Sequence, residues 1–131
     1  MFDKYLIVED SLSNLVEGGK VTGFRIKARL GYYRGLGLSM VEAMDITIDG
    51  QEVPREAVRI DEGKGWLTLD EMETAYDRRW LFGEAVDVAV SWPPLEPGTH
   101  DLTLRQQLRV SYMPFPSVNN DNKQLELRSA S

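Results

Sequence analysis

Few residues in this chain could perform acid–base or metal chemistry. Among its 131 residues there is one histidine, His100, and there is no cysteine. A catalytic histidine needs a nucleophile within reach or a carboxylate that orients its ring. The adjacent carboxylate of Asp101 would point to the opposite face of the strand that begins there, because successive side chains of a strand alternate between faces. We therefore predict that His100 is a turn histidine hydrogen-bonded to backbone, and that the chain carries no catalytic residue of its own.

The acidic residues do not form a recognisable metal motif either. They cluster at 61–62 and again over 70–73, but neither cluster has the regular oxygen spacing with a central glycine that a calcium loop requires. The sequence has no histidine pair and no HExxH motif, so an imidazole-based metal site is not expected. The glycine-rich stretch at 31–37 lacks the lysine and the following helix of a phosphate-binding loop. We predict solvated acidic faces, a helix cap, and no metal or other cofactor on this chain.

Bulky side chains with polar tips, in contrast, recur at predicted strand ends and turns. Tyrosine, tryptophan, methionine and arginine are common at the centres of protein interfaces, since they bury much apolar area and keep a polar handle. One interpretation is an interface formed by at least one of these groups. The other is that the rings simply close the ends of the core. The candidate residues are Tyr32, Tyr33, Arg34, Arg79, Trp80, Tyr112, Met113, Pro114 and Phe115.

Length and charge restrict the class of protein. A chain of 131 residues suits one domain, 1–131, with a single core. Its 21 acidic and 15 basic residues give a net charge of −6, which disfavours binding to nucleic acid or to an anionic membrane surface. No apolar stretch approaches the roughly 18 residues of a membrane span, and the first ten residues do not resemble a secretory signal. We therefore expect a cytoplasmic protein.

The elements that must position these side chains are mainly short strands. Apolar residues that alternate with polar ones indicate strands with one buried face. In the last such strand Gln106 alone interrupts the alternation, which indicates either a bulge or a buried amide with partners. A short apolar run at 4–9 predicts a first strand. The alternating stretches are 21–30, 44–48, 84–92 and 102–112.

Turn residues join these strands into hairpins. Asp-Gly at 49–50 predicts a tight turn, and a second hairpin is expected around 61–65. Residues 70–80 are the only plausible helical stretch, with Asp70 as the cap and Glu73 reaching back to it. We predict that 117–131 form a polar, exposed C-terminal arm in which 124–128 could add an edge strand. The fold expected is all-β: a single-domain antiparallel β-sandwich, jelly-roll or immunoglobulin-like, with at most one short helix.

Several strings of this sequence together resemble one known family. They occur in the family's order from the first residue to about residue 116, and their combination is more specific than any single string. Their order and content are similar to those of the beta subunit of the C-glycoside deglycosidases. The strings are MFDKYLIVEDSLSN, GKVTGF, YYRGLGLSM, IDG with EVPRE, TLDEMET, RWLFGEAV, LEPGTHDL and LRVSYMPFP.

The resemblance implies a function that this chain performs only together with a partner. Such a beta subunit assembles with an alpha subunit that resembles a sugar-phosphate isomerase, a TIM-type barrel that holds a divalent metal, commonly manganese. The complex acts on 3-oxo-C-glycosides of flavonoid-like aglycones and cleaves the carbon–carbon bond by a lyase-type elimination. The resemblance also implies that Tyr32, Tyr33 and Arg34 pack on the barrel mouth or line the passage of the aglycone, with 111–116 as a second contact. It places no catalytic residue on this chain.

Two other functions stay open at this point. The tyrosines and Trp80 would also suit a stand-alone β-sandwich module that binds carbohydrate or polyphenol. The long strand over 102–112 and the possible edge strand at 124–128 would suit a structural oligomerisation domain.

Overall fold

Eleven strands build the protein, as a computed structural model of the chain shows. The structure describes residues 6–9, 11–29, 36–75, 77–80, 84–109 and 117–127. One helical turn, α1 (Leu69–Met72), and two 3₁₀ turns, Leu38–Met40 and Arg55–Ala57, interrupt the strands. In chain order the strands are β1 (Ser13–Glu17), β2 (Lys20–Ala28), β3 (Leu36–Gly37), β4 (Val41–Ile48), β5 (Gln51–Glu52), β6 (Val58–Asp61), β7 (Leu67–Thr68), β8 (Arg79–Trp80), β9 (Val86–Ser91), β10 (Gly98–Leu108) and β11 (Ser117–Leu127).

The strands form two main antiparallel sheets and one small one. The first sheet has the order β1-β2-β9-β6-β7, and the second has the order β11-β10-β4-β5. The remaining strands, β3 and β8, form a two-stranded sheet. The predicted all-β sandwich with one short helix is therefore confirmed.

The alternation read from the sequence decides which side chains fill the core. Alternate residues are buried in the central parts of β2, β4, β9 and β10, as predicted, and Gly23 and Ala89 are buried in addition. Gln106 is fully buried among them, and its amide nitrogen donates to the Arg29 carbonyl at 3.3 Å and contacts the Met44 sulfur at 3.5 Å. The register between β10 and β4 changes between Gln107 and Leu108, one residue beyond Gln106. Both features expected around Gln106, the buried amide and the bulge, are thus present.

Both predicted hairpins are confirmed. Asp49 and Gly50 have φ of 50° and 81°, the left-handed conformation that the turn between β4 and β5 requires. The return strand β5 ends before Pro54, which cannot donate to a ladder. The second hairpin pairs β6 with β7 through Arg59 opposite Thr68.

The short helix, for which one or two turns or a structured loop were expected within 70–80, is present and is capped two residues earlier than predicted. α1 is a single turn, and its cap is Thr68, whose hydroxyl accepts the Glu71 amide at 3.2 Å while the Glu71 carboxylate accepts the Thr68 amide at 2.9 Å. The predicted pair, Asp70 and Glu73, has the same spacing, so the sequence pattern alone allowed either position. Thr68 is selected because β7 ends there and leaves its backbone extended. Within the described ranges, no helix is long and apolar enough to cross a membrane.

The prediction of an exposed arm from residue 117 was wrong as far as Leu127. β11 pairs with β10 over eleven residues and forms the edge of the second sheet. The polar composition hid this strand because its outer side faces solvent, while Asn119, Asp121, Leu125 and Leu127 point inward and are buried. The edge strand suggested for 124–128 is confirmed through Leu127, and residues 128–131 lie outside the described residues.

A buried carboxylate on this edge strand joins the two sheets. Only an isolated bridge from Ile7 to Ala28 is seen in the described part of the predicted first strand. The Ile7 amide donates to the Asp121 carboxylate at 2.8 Å, and the Lys123 ammonium contacts the same oxygen at 2.5 Å. Because a sheet edge presents unpaired amides, a side-chain acceptor from the opposite sheet both satisfies one of them and closes this side of the sandwich.

The close approach of β2 to β9 predicts a severe effect of one methyl group. A Cβ at Gly23 would lie 1.8 Å from the Val90 carbonyl oxygen, a backbone atom that moves only with its strand. We expect Gly23→Ala to lower the free energy of unfolding by about 1–3 kcal/mol or more, as overpacking does, measured by urea denaturation. The matched control is Gly37→Ala, where φ is −65° and the nearest atom would lie 3.6 Å away. Equal stability of the two variants would contradict the packing at Gly23.

Candidate functional site

The described residues that flank the three predicted surface groups meet at one end of the sandwich. Leu36 pairs with Trp80 and Gly37 with Arg79, so the residues after the first group adjoin those of the second. The Arg109 amide donates to the Met40 carbonyl at 2.8 Å, which brings the end of β10 to the same region. We call the set formed by Arg29, 36–40, 78–80 and Arg109 the convergent end.

Most of the predicted residues lie outside the described residues. These are Tyr32, Tyr33, Arg34, Tyr112, Met113, Pro114 and Phe115. Arg79 is placed in β8, although only its backbone is described. Arg29, Arg78, Arg79 and Arg109 give the convergent end four arginines in a chain of net charge −6.

Trp80 differs from the other candidates because it belongs to the core. Its side chain has no exposed area in this chain, and its indole N–H donates to the Glu84 carbonyl at 3.0 Å. For Trp80 the structure therefore matches the alternative in which a ring closes the end of the sandwich. The ring packs in the hydrophobic core with Leu38 and Met72, which helps to hold β8 in place. The stand-alone binding module that the sequence suggested cannot use Trp80 as a surface platform in this conformation.

A bidentate ion pair between Arg78 and Glu62, called the fork below, connects the convergent end to the β6–β7 loop. Arg78 Nε donates to one Glu62 oxygen at 2.7 Å, and Arg78 Nη2 contacts the other oxygen. Arg78 Nη2 also donates to the Gly65 carbonyl at 2.6 Å. The hydrogen bond from Arg78 holds the pKa of Glu62 below its usual value, and the same bond raises the pKa of Arg78. Glu62 was expected on a solvated face, and that expectation was wrong: only 6% of its side chain is exposed.

The sequence analysis missed this pair because its partners are sixteen residues apart in the chain. Neither residue is part of an alternating stretch, and the contact depends on how the β6–β7 loop folds back. The loop is ordered by Asp61, whose carboxylate accepts the amides of Gly63 and Gly65 at 2.7 and 3.0 Å. Gly63 and Gly65 have φ of 123° and 117°, which other residues rarely adopt.

His100 lies at the opposite end of the sandwich and joins three segments. Its Nδ1 is 2.6 Å from the Asp49 carboxylate, and its Nε2 is 2.7 Å from the Glu96 carbonyl. Both partners can only accept hydrogen bonds, so both ring nitrogens must carry a proton and the ring is an imidazolium. Burial disfavours the charge, but the bonds to Asp49 and Glu96 outweigh it and raise the pKa of His100 above its usual value. The predicted bond to backbone is confirmed, with Asp49 as an additional partner, but His100 lies within β10 and not in a turn.

The described residues do not offer a metal site. No group of three or more histidine, cysteine, aspartate or glutamate side chains is close enough to share an ion in this part of the chain. Both nitrogens of the only histidine already serve as donors.

The fold defines this chain as an all-β sandwich protein with an arginine-rich end. A family model described as "C-glycoside deglycosidase beta subunit" matches residues 2–112. The chain therefore belongs to the C-glycoside deglycosidase beta subunit family, in agreement with the resemblance seen in the sequence strings.

Named relatives are similar along most of the chain. The 3'-dehydrocarminate deglycosidase beta subunit of a Microbacterium species is 29% identical over 133 residues, which cover 98% of this chain and 97% of the relative. A C-glycoside deglycosidase beta subunit of Eubacterium cellulosolvens is 30% identical over 114 residues, which cover 86% of this chain and 78% of the relative. A third relative with that description, from Microbacterium trichothecenolyticum, is 26% identical over 88 residues and 67% of each chain.

The Arg78–Glu62 fork predicts a strongly coupled pair. We expect Glu62→Gln and Arg78→Met each to lower the free energy of unfolding by roughly 1–3 kcal/mol, because each leaves a mostly buried partner without its counterpart. The double variant should lose clearly less than the sum of the two losses. Urea denaturation of the four proteins of this double-mutant cycle gives the coupling free energy. The same cycle on the exposed pair Arg55 and Asp70 is the control. Strict additivity at Arg78 and Glu62 would contradict the assigned fork.

The imidazolium at His100 predicts that stability falls as the pH rises. A group whose folded pKa is raised contributes all of its stabilisation below the unfolded pKa of about 6.5 and loses it as the pH passes the folded pKa. The urea midpoint should therefore drop between pH 6 and pH 9, whereas Asp49, whose pKa the His100 and Asp101 bonds lower, stays ionised throughout. His100→Gln should flatten this dependence. As the chain has one histidine, its single NMR titration should have a midpoint above 6.5, and a midpoint below 6.5 would refute the assignment.

Proposed function

We propose that this chain is the small, non-catalytic but required subunit of a hetero-oligomeric C-glycoside deglycosidase. The enzyme would cleave the carbon–carbon bond between sugar and aglycone in 3-oxo-C-glycosides of flavonoid type. Family membership supports the deglycosidase assignment, and the word "beta" in the names of the relatives supports an alpha subunit as the partner. The relative from Microbacterium carries the substrate in its name, 3'-dehydrocarminate, a dehydrogenated compound.

One observation carries the proposed role of this chain. In the described residues, β3 pairs with β8 and the Arg109 amide donates to the Met40 carbonyl, so the residues that adjoin the segments 30–35, 81–83 and 110–116 in the chain are neighbours. These segments contain the tyrosines, arginine, methionine and prolines that interfaces favour. In the proposal this end covers the mouth of the partner barrel, and Tyr32, Tyr33 and Arg34 contact the partner or line the passage for the aglycone.

The proposed reaction is an elimination in which this chain moves no proton. The ketone at C3 of the sugar acidifies the proton at C2, and a base removes that proton to give an enediolate. The bond from C1 to the aglycone then breaks, its electron pair leaves with the aglycone, and the aglycone takes up a proton. The proposal assigns the base and a divalent metal ion, manganese by the family resemblance, to the alpha subunit. The described residues of this chain do not fit that ion, as the engaged ring of His100 illustrates.

The test compares this chain, its alpha subunit and their mixture on one 3-oxo-C-glycoside. We expect co-purification of the two chains and turnover by the mixture only. The combined variant Tyr32→Ala, Tyr33→Ala, Arg34→Ala should reduce complex formation or turnover at least tenfold, since such residues dominate interface energies.

The matched control places three alanines at the opposite end of the sandwich. Lys20, Gln51 and Glu52 are exposed there, at the start of β2 and in the β4–β5 hairpin, and their replacement should leave assembly and turnover unchanged. Turnover by this chain alone, or failure to associate with the alpha subunit, would exclude the proposed role.

A further inference from the structure

A second apolar cluster lies on the outer face of the first sheet. Leu15 and Ala89 are buried to 5% and 0% exposure, although neither belongs to the continuous core between the sheets. Leu15 pairs with Gly23, and Ala89 pairs with Arg25, so both share the face opposite the core residue Phe24. Something on the outer face must therefore cover them.

Trp66 reaches this face from the β6–β7 loop. The guanidinium carbons of Arg25 and Arg59 lie 5.6 and 5.8 Å from its ring centroid. Ala89 stands between these two arginines, since it pairs with Arg25 on one side and with Arg59 on the other. A ring close to both guanidinium groups therefore lies above Ala89. Even so, 37% of Trp66 stays exposed, which makes it the exposed large aromatic side chain of the described residues.

Hydrogen-bonding groups surround the indole. Arg25 forms an ion pair with Asp87 at 3.5 Å, and Arg59 forms one with Glu17 at 3.3 Å. The side chains of Arg25 and Asp87 are 40% and 35% exposed, so both can also reach a ligand. Guanidinium groups have five N–H donors and carboxylates have several acceptor positions, more than a single ion pair occupies.

The loop that carries Trp66 is ordered before any ligand arrives. Asp61 accepts two loop amides, and Arg78 donates to the carbonyl of Gly65, the residue just before Trp66. A platform that is already ordered loses little conformational entropy on binding. The preformed loop and the polar groups around Trp66 are typical of a binding surface and not of a covered core residue.

We propose that Trp66, Arg25 and Asp87 form a binding site for the sugar ring of a glycoside. A pyranose has an apolar face of C–H groups that can stack on the exposed side of the indole, and its hydroxyl groups can hydrogen-bond to the Arg25–Asp87 ion pair, whose guanidinium lies against the same ring. A planar phenol would use the stacking but leave most of the surrounding polar groups unmatched. The site belongs to the outer face of the first sheet and is independent of the function proposed for the convergent end.

A single stacking ring with an open rim predicts weak binding, with a dissociation constant on the order of 1 mM for a monosaccharide. The test uses this chain alone, with ¹⁵N-labelled indoles, and methyl β-glucopyranoside as the probe. The chain has three tryptophans, so three indole N–H signals are resolved. We expect the Trp66 signal to move in a saturable way and the signal of the buried Trp80 to stay.

Variants separate stacking from hydrogen bonding. Trp66→Ala should abolish the binding and Trp66→Phe should weaken it several-fold, while Trp92→Phe serves as the aromatic control. Asp87→Ala should raise the dissociation constant of the sugar at least threefold, while the Trp66 signal should still shift on binding. Two results would exclude a sugar site. One is that resorcinol binds and the glucoside does not. The other is that the Trp66 signal stays unchanged at glucoside concentrations up to 50 times the expected dissociation constant. Because no partner is present, this result does not depend on the outcome of the assembly experiment.

Discussion

Arg78 is the residue on which both candidate surfaces depend. Its carbonyl accepts the Leu38 amide at 2.8 Å and its amide donates to the Ala75 carbonyl at 3.3 Å, so it ties β3 to the segment that follows α1. Its guanidinium binds Glu62 and the Gly65 carbonyl and thereby fixes the loop that presents Trp66. A planar group with several donors can hold two segments at once with defined geometry, which a lysine ammonium could not do as well. One residue therefore fixes both surfaces, through its backbone at β3 and through its side chain at the loop that carries Trp66.

The ionisable groups that are mostly buried serve the fold, and this shapes what the chain can do. Glu62 is bound by Arg78, Asp121 holds the Ile7 amide, and His100 is protonated between Asp49 and Glu96. A proton-transfer catalyst needs a group whose protonation state can change without breaking such contacts. Glu62 and His100 would each lose a structural bond on changing charge, so their charges are tied to the fold.

The sequence predicted those parts of the fold that follow from local pattern. Alternation identified the inner faces of β2, β4, β9 and β10, and Asp-Gly at 49–50 identified a turn, because both signals lie within a few residues. It did not predict the Asp49–His100 bond across 51 residues or the Glu62–Arg78 fork, since these depend on how strands and loops assemble. β11 was missed for another reason: an edge strand with one solvated side has too few apolar residues to show a pattern. For the convergent end, the sequence indicated three separate groups of interface-type residues but not that the residues flanking them meet.

The same alternation that identified the core also concealed the Trp66 surface. Arg25 and Arg59 occupy positions that alternation assigns to solvent, and in an isolated strand they would be just that. Pairing on both sides of Ala89 brings them together, and a loop tryptophan then covers the small residue between them. The solvent-facing side of a sheet can thus carry an ordered site of aromatic and polar groups. A small residue in the central strand makes this possible because it leaves room for an aromatic ring. Ala89 is therefore as much a part of that surface as Trp66, since a larger side chain there would displace the indole from its two arginines.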